Sequence, residues 1–291
     1  MSRRVFSRVC HRHKTTTGYT LVELLIVLLL TSYMMTIMVG FFRTAVAARQ
    51  NTGAQTEAQF GLRSSASVIT QELRQAGACL PRTGTFVTLA GTNSGLTDSL
   101  TLRIGRADPA TGACLKAQIT PASGGAVGAT TLTVDSTAGF GSTKRVLIVS
   151  SAAAGASELY SVTGTTATSI TISPGLQFTK PQFSRIYPLD ERIYQIQTWS
   201  GRSVLTVQID GDSAQPLVDG VTEFNVTYYG LPCDTLGVCT VLTQPTTDAT
   251  WRNVREVTIA PKITARKKNR QGQLVTTTLT EPIHIKPRNL L

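Results

Sequence analysis

Charge and aromatic side chains are both scarce in this chain: of 291 residues, 15% are Asp, Glu, Lys or Arg and 6% are Phe, Trp or Tyr. Low charge combined with 41% hydrophobic residues excludes wholesale disorder, because a chain of this length can bury enough apolar surface to fold as one large or two small domains. Residue combinations that carry chemistry are missing too. There is no Gly-x-Ser-x-Gly elbow, no His-Glu-x-x-His pair, no Gly-Lys-Ser/Thr loop and no Cys-x-x-Cys, and Gly139-Phe-Gly-Ser-Thr-Lys144 matches a phosphate loop only in composition. The expectation is a protein that is not an enzyme and has no cofactor. What is abundant instead is Gly (24), Pro (12), Ser and Thr, the composition of many short strands and turns.

The formal net charge of +11 is unevenly spread. Arg3, Arg4, Arg8, Arg12 and Lys14 stand in the first 18 residues with no acid among them; beyond them 23 basic residues face 17 acidic ones, a surplus too modest to argue for an acidic partner. Directly after this leader, Tyr19 to Phe42 is almost wholly apolar, and Leu24 to Phe42 carries no charge, with Thr31, Ser32, Thr36 and Gly40 as small interruptions. Nineteen such residues rise about 29 Å as a helix, close to the hydrocarbon thickness of a bilayer. The basic flank before the run and the lone Arg43 after it predict a cytoplasmic N-terminus and an exported body. A cleaved secretory signal fits poorly, because the run passes into Arg43-Thr-Ala-Val-Ala-Ala-Arg49 and continues with helical spacing. One carboxylate, Glu23, lies near the start of the run; in lipid such a group costs about 2.5–3.5 kcal/mol at a helix centre and less near an end, so it asks for a partner.

The segment Gly18-Tyr19-Thr20-Leu21-Val22-Glu23-Leu24-Leu25-Ile26 resembles the prepilin-peptidase site of type IV pilins and type II secretion pseudopilins. The resemblance implies cleavage after Gly18 on the cytoplasmic face, N-methylation of Tyr19 as the first mature residue, and retention of the apolar segment. A small residue at Gly18 suits a narrow peptidase subsite. Tyr19 stands where Phe is usual, a departure that touches methylation more than cleavage. Glu23 would be fifth in the mature chain, the position whose carboxylate pairs, in the family, with the amino group of a neighbouring subunit and sets axial register.

Past the apolar run, Ala45, Val46, Ala54, Ala58, Leu62, Ile69, Leu73 and Ala76 recur mostly at spacings of three, four or seven. This predicts one helix from about Tyr19 to Ala76, stopped by Gly77 and Pro81, with Gly40, Gly53 and Gly61 as places where it can loosen. Strands are predicted at 86–89, 99–104, 131–134, 145–149, 159–162, 169–172, 192–196, 204–209, 221–229, 254–259 and 275–279. The expected fold is therefore α+β, of the type IV pilin kind that the resemblance implies. It comprises a cleaved leader (1–18), a transmembrane or filament-core helix (19–42), its amphipathic continuation (43–80) and an antiparallel β-rich head (81–291). A Thr- and Gly-rich β subdomain is expected as an insert at about 124–180.

Leu217-Val-Asp-Gly-Val221, Phe224-Asn-Val-Thr-Tyr-Tyr229 and Trp251 ahead of Val254–Ile259 resemble the PilW family of minor pilins and its secretion counterpart, the GspJ-like pseudopilins. That family implies assembly, not catalysis. The subunit would prime a type IV pilus and sit at its tip, in the inner membrane before assembly and at the cell surface after it. Implied partners are other minor pilins, the major pilin, the inner-membrane assembly platform, the prepilin peptidase and a tip adhesin. The alternatives are a minor pseudopilin of a type II secretion system, a DNA-uptake pilin, and a membrane-anchored extracellular binding domain.

Of five cysteines Cys10 lies in the leader, so cleavage would leave Cys79, Cys114, Cys233 and Cys239. Four allow three pairings, and proximity favours Cys79–Cys114 with Cys233–Cys239 in an oxidising compartment. A metal site is disfavoured, with His284 the one histidine left after cleavage. Three further features read better as structure than as sites. Asp210-Gly-Asp212 is a hairpin turn before it is a cation site, and Trp199 and Trp251 are core or sheet-face residues before they are ligand platforms. Arg266, Lys267, Lys268 and Arg270 form a charged hairpin turn between strands 254–266 and 273–280 before they form a nucleic-acid contact, although that run is the best placed to make one.

Overall fold

The computed structural model describes residues 20–81, 86–121, 124–152, 157–233, 239–242, 253–268, 274–280 and 282–287. The fold is α+β, with one helix, α1 (Leu21–Gln75), and a body of antiparallel β-sheet. The chain forms two compact units, Met1–Thr52 and Gly53–Leu291.

In the first unit the described residues of α1 are exposed on every side, apolar ones included. In the second unit the same helix becomes amphipathic. Leu62, Ile69 and Leu73 recur at seven and four residues and are buried, whereas Arg63, Ser64, Val68, Gln71 and Arg74 are exposed. The helix ends at Gln75, short of residue 80, because Gly77 adopts a left-handed φ of 78° and gives its N–H to the Arg103 carbonyl at 2.9 Å. Residues 76–80 therefore form a turn hooked onto the sheet.

The larger sheet contains β1 (Leu89–Thr92), β2 (Ser99–Gly105), β3 (Ala117–Gln118), β4 (Thr131–Thr133), β5 (Arg145–Val149), β6 (Ser157–Thr165), β7 (Ser169–Ser173), β8 (Arg185–Trp199), β9 (Arg202–Ile209) and β10 (Gln215–Asp219). The smaller contains β11 (Val221–Cys233), β12 (Cys239–Leu242), β13 (Val254–Lys268), β14 (Leu274–Thr280) and β15 (Ile283–Ile285). The first strand begins three residues later than the apolar run at 86–89 predicts. Arg103 claims the preceding backbone: its guanidinium donates to the Val87 carbonyl at 2.8 Å and lies over the Phe86 ring, so regular pairing starts at Leu89 with Leu102.

Strand β8 is the spine of the larger sheet. One of its edges pairs with β5 through Arg185–Leu189 and with β9 through Arg192–Trp199; the other pairs with β3 and with β2. Two large cores hang on this strand, with a smaller cluster of Leu80, Leu147, Tyr187 and Leu189 beside them. Tyr194 joins Leu62, Ile69 and Leu73 of α1, Leu100 and Leu102 of β2, and Phe224, Val226, Val257 and Ile259 of the smaller sheet. Ile186 joins Leu132, Phe140, Val146, Ile148, Tyr160, Ile170 and Ile172. Each fully buried aliphatic side chain contributes about 1.5–3 kcal/mol over its exposed state. The second core is the one expected of an insert at 124–180, but it extends from Ala117 to Ile186, and β4–β7 belong to the same hydrogen-bonded sheet through the β5–β8 pair. On β11 a bulge between Val221 and Glu223 lets Val221 and Phe224, three residues apart, both reach the core.

Where the two cores meet, β8 carries two acids. Glu191 receives Arg103 Nε at 2.8 Å and Arg145 Nη2 at 3.4 Å, and Asp190 receives Arg106 Nε at 2.6 Å. Asp210 accepts the Glu191 N–H at 2.6 Å and lies 3.7 Å from Arg106; its burial raises the carboxyl above the usual Asp range. The second core holds a further pair, Lys180 to Glu158 at 2.6 Å, with the lysine fully buried. On α1, Glu72 accepts hydrogen bonds from the Arg192 guanidinium and the Tyr194 hydroxyl, which ties the helix to β8. Desolvation pushes Tyr194 up to about 12.

Two outcomes are expected. Glu72→Gln, which keeps the shape and removes the charge, lowers stability by about 1–3 kcal/mol, and Glu72→Ala lowers it further because Arg192 and Tyr194 lose their acceptor; the midpoint of urea unfolding reads both. Tyr194 stays neutral past its unfolded value of 10, so the stability it contributes is complete below pH 10 and is lost as pH rises through 12. Phenolate absorbance of the folded protein then loses a late step in Tyr194→Phe.

Candidate functional site

The N-terminal segment is built from its cap upward. Thr20 precedes α1, its carbonyl accepts the first helical N–H from Leu24 at 3.2 Å, and its Oγ1 accepts the N–H of Glu23 at 3.3 Å. Thr followed three residues later by Glu is the spacing of a capping box, and it places Glu23 in the first turn, where the helix dipole favours a negative charge. Thr20 is a site residue that the apolar pattern does not single out; the signal that finds it is the Thr-x-x-Glu spacing. Glu23 is exposed, and it is the sole carboxylate on α1 between Leu21 and Gln50. The first cation along α1 is Arg43, twenty residues or about 30 Å away. Gly18 and Tyr19, the predicted cleavage pair, lie outside the described residues, as do Cys10, Trp251 and Arg270.

Leu21–Gln50 has a mean hydropathy of 2.3 and is long and apolar enough to cross a membrane. Its small polar residues are satisfied within the helix. Thr31 donates to the Leu28 carbonyl at 3.0 Å, Ser32 to Leu29 at 2.9 Å, Thr36 to Ser32 at 2.9 Å and Thr44 to Phe41 at 2.8 Å. A hydroxyl bonded this way can enter low-dielectric surroundings without leaving its donor unpaired.

No family model matches this chain, and comparison with curated proteins returns no match.

Both favoured cysteine pairs are bonded. Cys79, held at a φ of 57° in the turn after α1, joins Cys114 across 35 residues, and Cys233 at the end of β11 joins Cys239 at the start of β12. Chain-entropy arguments give about 4 kcal/mol for the longer closure and about 2 for the shorter. The basic residues are placed differently from the expected turn. Arg266, Lys267 and Lys268 belong to β13, paired with Thr276, Val275 and Leu274 of β14, because the ladder between these strands continues two residues past 266. Asp210 and Gly211 do form a turn, with φ of 51° and 80° and the Asp212 N–H on the Ile209 carbonyl; Arg106 and Lys144 occupy the two carboxylates. Trp199 is a sheet-face residue and not a core one: it is the last residue of β8, opposite Arg202 where the β8–β9 hairpin closes, and is 45% exposed.

Non-reducing peptide mapping of protein purified without reductant is expected to recover Cys79–Cys114 and Cys233–Cys239 as linked peptides. Replacing Cys79 and Cys114 together by Ser costs about 2–4 kcal/mol in urea unfolding, more than the same change at Cys233 and Cys239.

Proposed function

We propose that this chain is a minor pilin of the PilW kind that primes assembly of a type IV pilus and sits at or near its tip. Glu23 carries the reading. It is a carboxylate in the first turn of an apolar helix, five residues past Gly18, with no opposite charge on that helix for about 30 Å. A charge so placed is stable in lipid or in a helical bundle only against a counter-charge from outside the helix, and the amino group created by cleavage after Gly18, on an adjacent subunit, has the right sign and depth. Leu21–Gln50 holds the subunit in the inner membrane as a single pass and then joins the filament core, and the β-rich head with its two disulfides is the exported part. Partners are the major pilin, other minor pilins, the assembly platform, the prepilin peptidase and a tip adhesin. Function by assembly leaves no catalytic step to assign.

The Thr-x-x-Glu spacing offers the Glu23 carboxylate a second use, in a capping box with Thr20, and the two uses separate experimentally. Gln at this position retains the capping geometry and lacks the charge. Under the proposal Glu23→Gln and Glu23→Ala both lower surface fibres by about tenfold or more, while N-terminal sequencing of sheared filaments and membranes still begins at Tyr19 for the unaltered protein. Full fibre production by Glu23→Gln, or a native chain that keeps Met1 in cells with the peptidase, overturns the reading. Intact pili with lost protein secretion instead identify a type II secretion pseudopilin.

A further inference from the structure

At the far end of β8 the head builds a depression that the assembly role does not use. Its rim is the two-residue turn Ser200–Gly201, whose φ values of 49° and 77° are those of a type I′ hairpin; this turn sets Trp199 directly opposite Arg202. Its second wall is the edge strand β10. Pro216 pairs with Thr206 and Val218 with Leu205, so Leu217 is a bulged residue without a partner and stands 37% exposed. Val204 and Val218 are buried residues of its lining, and the depression is open to solvent with a volume of about 510 Å³, within the size range of small-ligand sites.

Three observations select the ligand. First, an indole that is 45% exposed beside Leu217 and Pro216 offers a flat apolar platform. Second, Arg202 Nη1 lies 3.0 Å from Asp219 Oδ2 with side chains 75% and 55% exposed. So open an ion pair holds only about 0–1 kcal/mol, so its donors and acceptor can turn to a ligand at little cost. Third, Arg202 and Asp219 are the charged residues lining the depression and cancel, so neither an anion nor a cation gains net attraction there. A neutral ring with an apolar C–H face and a hydroxyl-bearing edge satisfies all three. The geometry points to a binding site for neutral saccharides, a pyranose ring stacked on Trp199 with adjacent hydroxyls bridging Arg202 and Asp219.

The test uses the full chain in lauryl dimethylamine oxide, because the head group of a glucoside or maltoside detergent would itself fill the site. Cellohexaose, the hexamer of N-acetylglucosamine and maltohexaose are titrated separately, with heat and tryptophan fluorescence as readouts. Saturable binding by at least one sugar is expected, weakened about tenfold or more by Trp199→Ala, partly kept by Trp199→Phe and weakened by Arg202→Ala. These side chains lie outside both cores, so the variants unfold at the same urea midpoint as the unaltered protein. Absence of saturable binding by all three sugars up to about 10 mM, or binding that Trp199→Ala leaves unchanged, overturns the site. Neither result bears on whether Glu23 drives filament assembly.

Discussion

The use of β8 on both edges constrains everything else in the head. A fifteen-residue strand passes from one apolar core to the other, and at the crossing it carries Asp190 and Glu191, which belong to neither. Acids in that position need cations from both sides of the strand. They receive Arg103 and Arg106 from β2 and its exit, and Arg145 from β5. The charge ladder thereby locks register: sliding β2 or β5 by one residue would turn its guanidinium to the opposite face and leave a buried carboxylate unpaired, at a cost of several kcal/mol. Hydrophobic burial supplies the stability of the two cores, and the ladder supplies their alignment.

The helix shows how one regular element can serve two surroundings. Beyond Gly53 the helix has a buried apolar stripe at Leu62, Ile69 and Leu73, with Phe60 and Val68 left exposed, and Glu72 is spent on Arg192 and Tyr194. Before Thr52 the apolar residues go all the way round, and the described ones are exposed. A helix of this length and hydropathy can cross a membrane, and the internally bonded hydroxyls of Thr31, Ser32 and Thr36 suit low-dielectric surroundings. In the pilin reading both surroundings are met in turn, first membrane and then filament, and Glu23 marks the step between them.

Much of this organisation is legible from pattern. The helix and its stop at Gly77, the strands at 99–104, 145–149, 169–172 and 204–209, and the pairing of near cysteines follow from periodicity, turn residues and proximity, which act over a few residues. What escaped are elements whose cause lies elsewhere in the chain. The first half of β8, Arg185–Leu189, contains Pro188 and lacks alternation because successive side chains, Ile186 and Tyr187, are buried in different clusters. The shift of β1 to Leu89 depends on Arg103, and the extension of β13 through Pro261 to Lys268 depends on β14. The cap at Thr20 was readable in principle, from Thr-x-x-Glu, but a capping box and a filament motif share the same residues.

By itself the sequence determined the local matters: a helix of about the length of a bilayer crossing with one carboxylate in its first turn, and a β-rich body, because helical and strand periodicity and the cost of a charge in lipid are properties of neighbouring residues. Only the tertiary structure decided that one strand would carry both cores, that Glu72 would bind Arg192, and that Trp199 would be left open beside a bulged Leu217. Those outcomes depend on register between strands distant in the chain, and register is set by the joint requirement that every buried side chain and every buried charge find its partner at once.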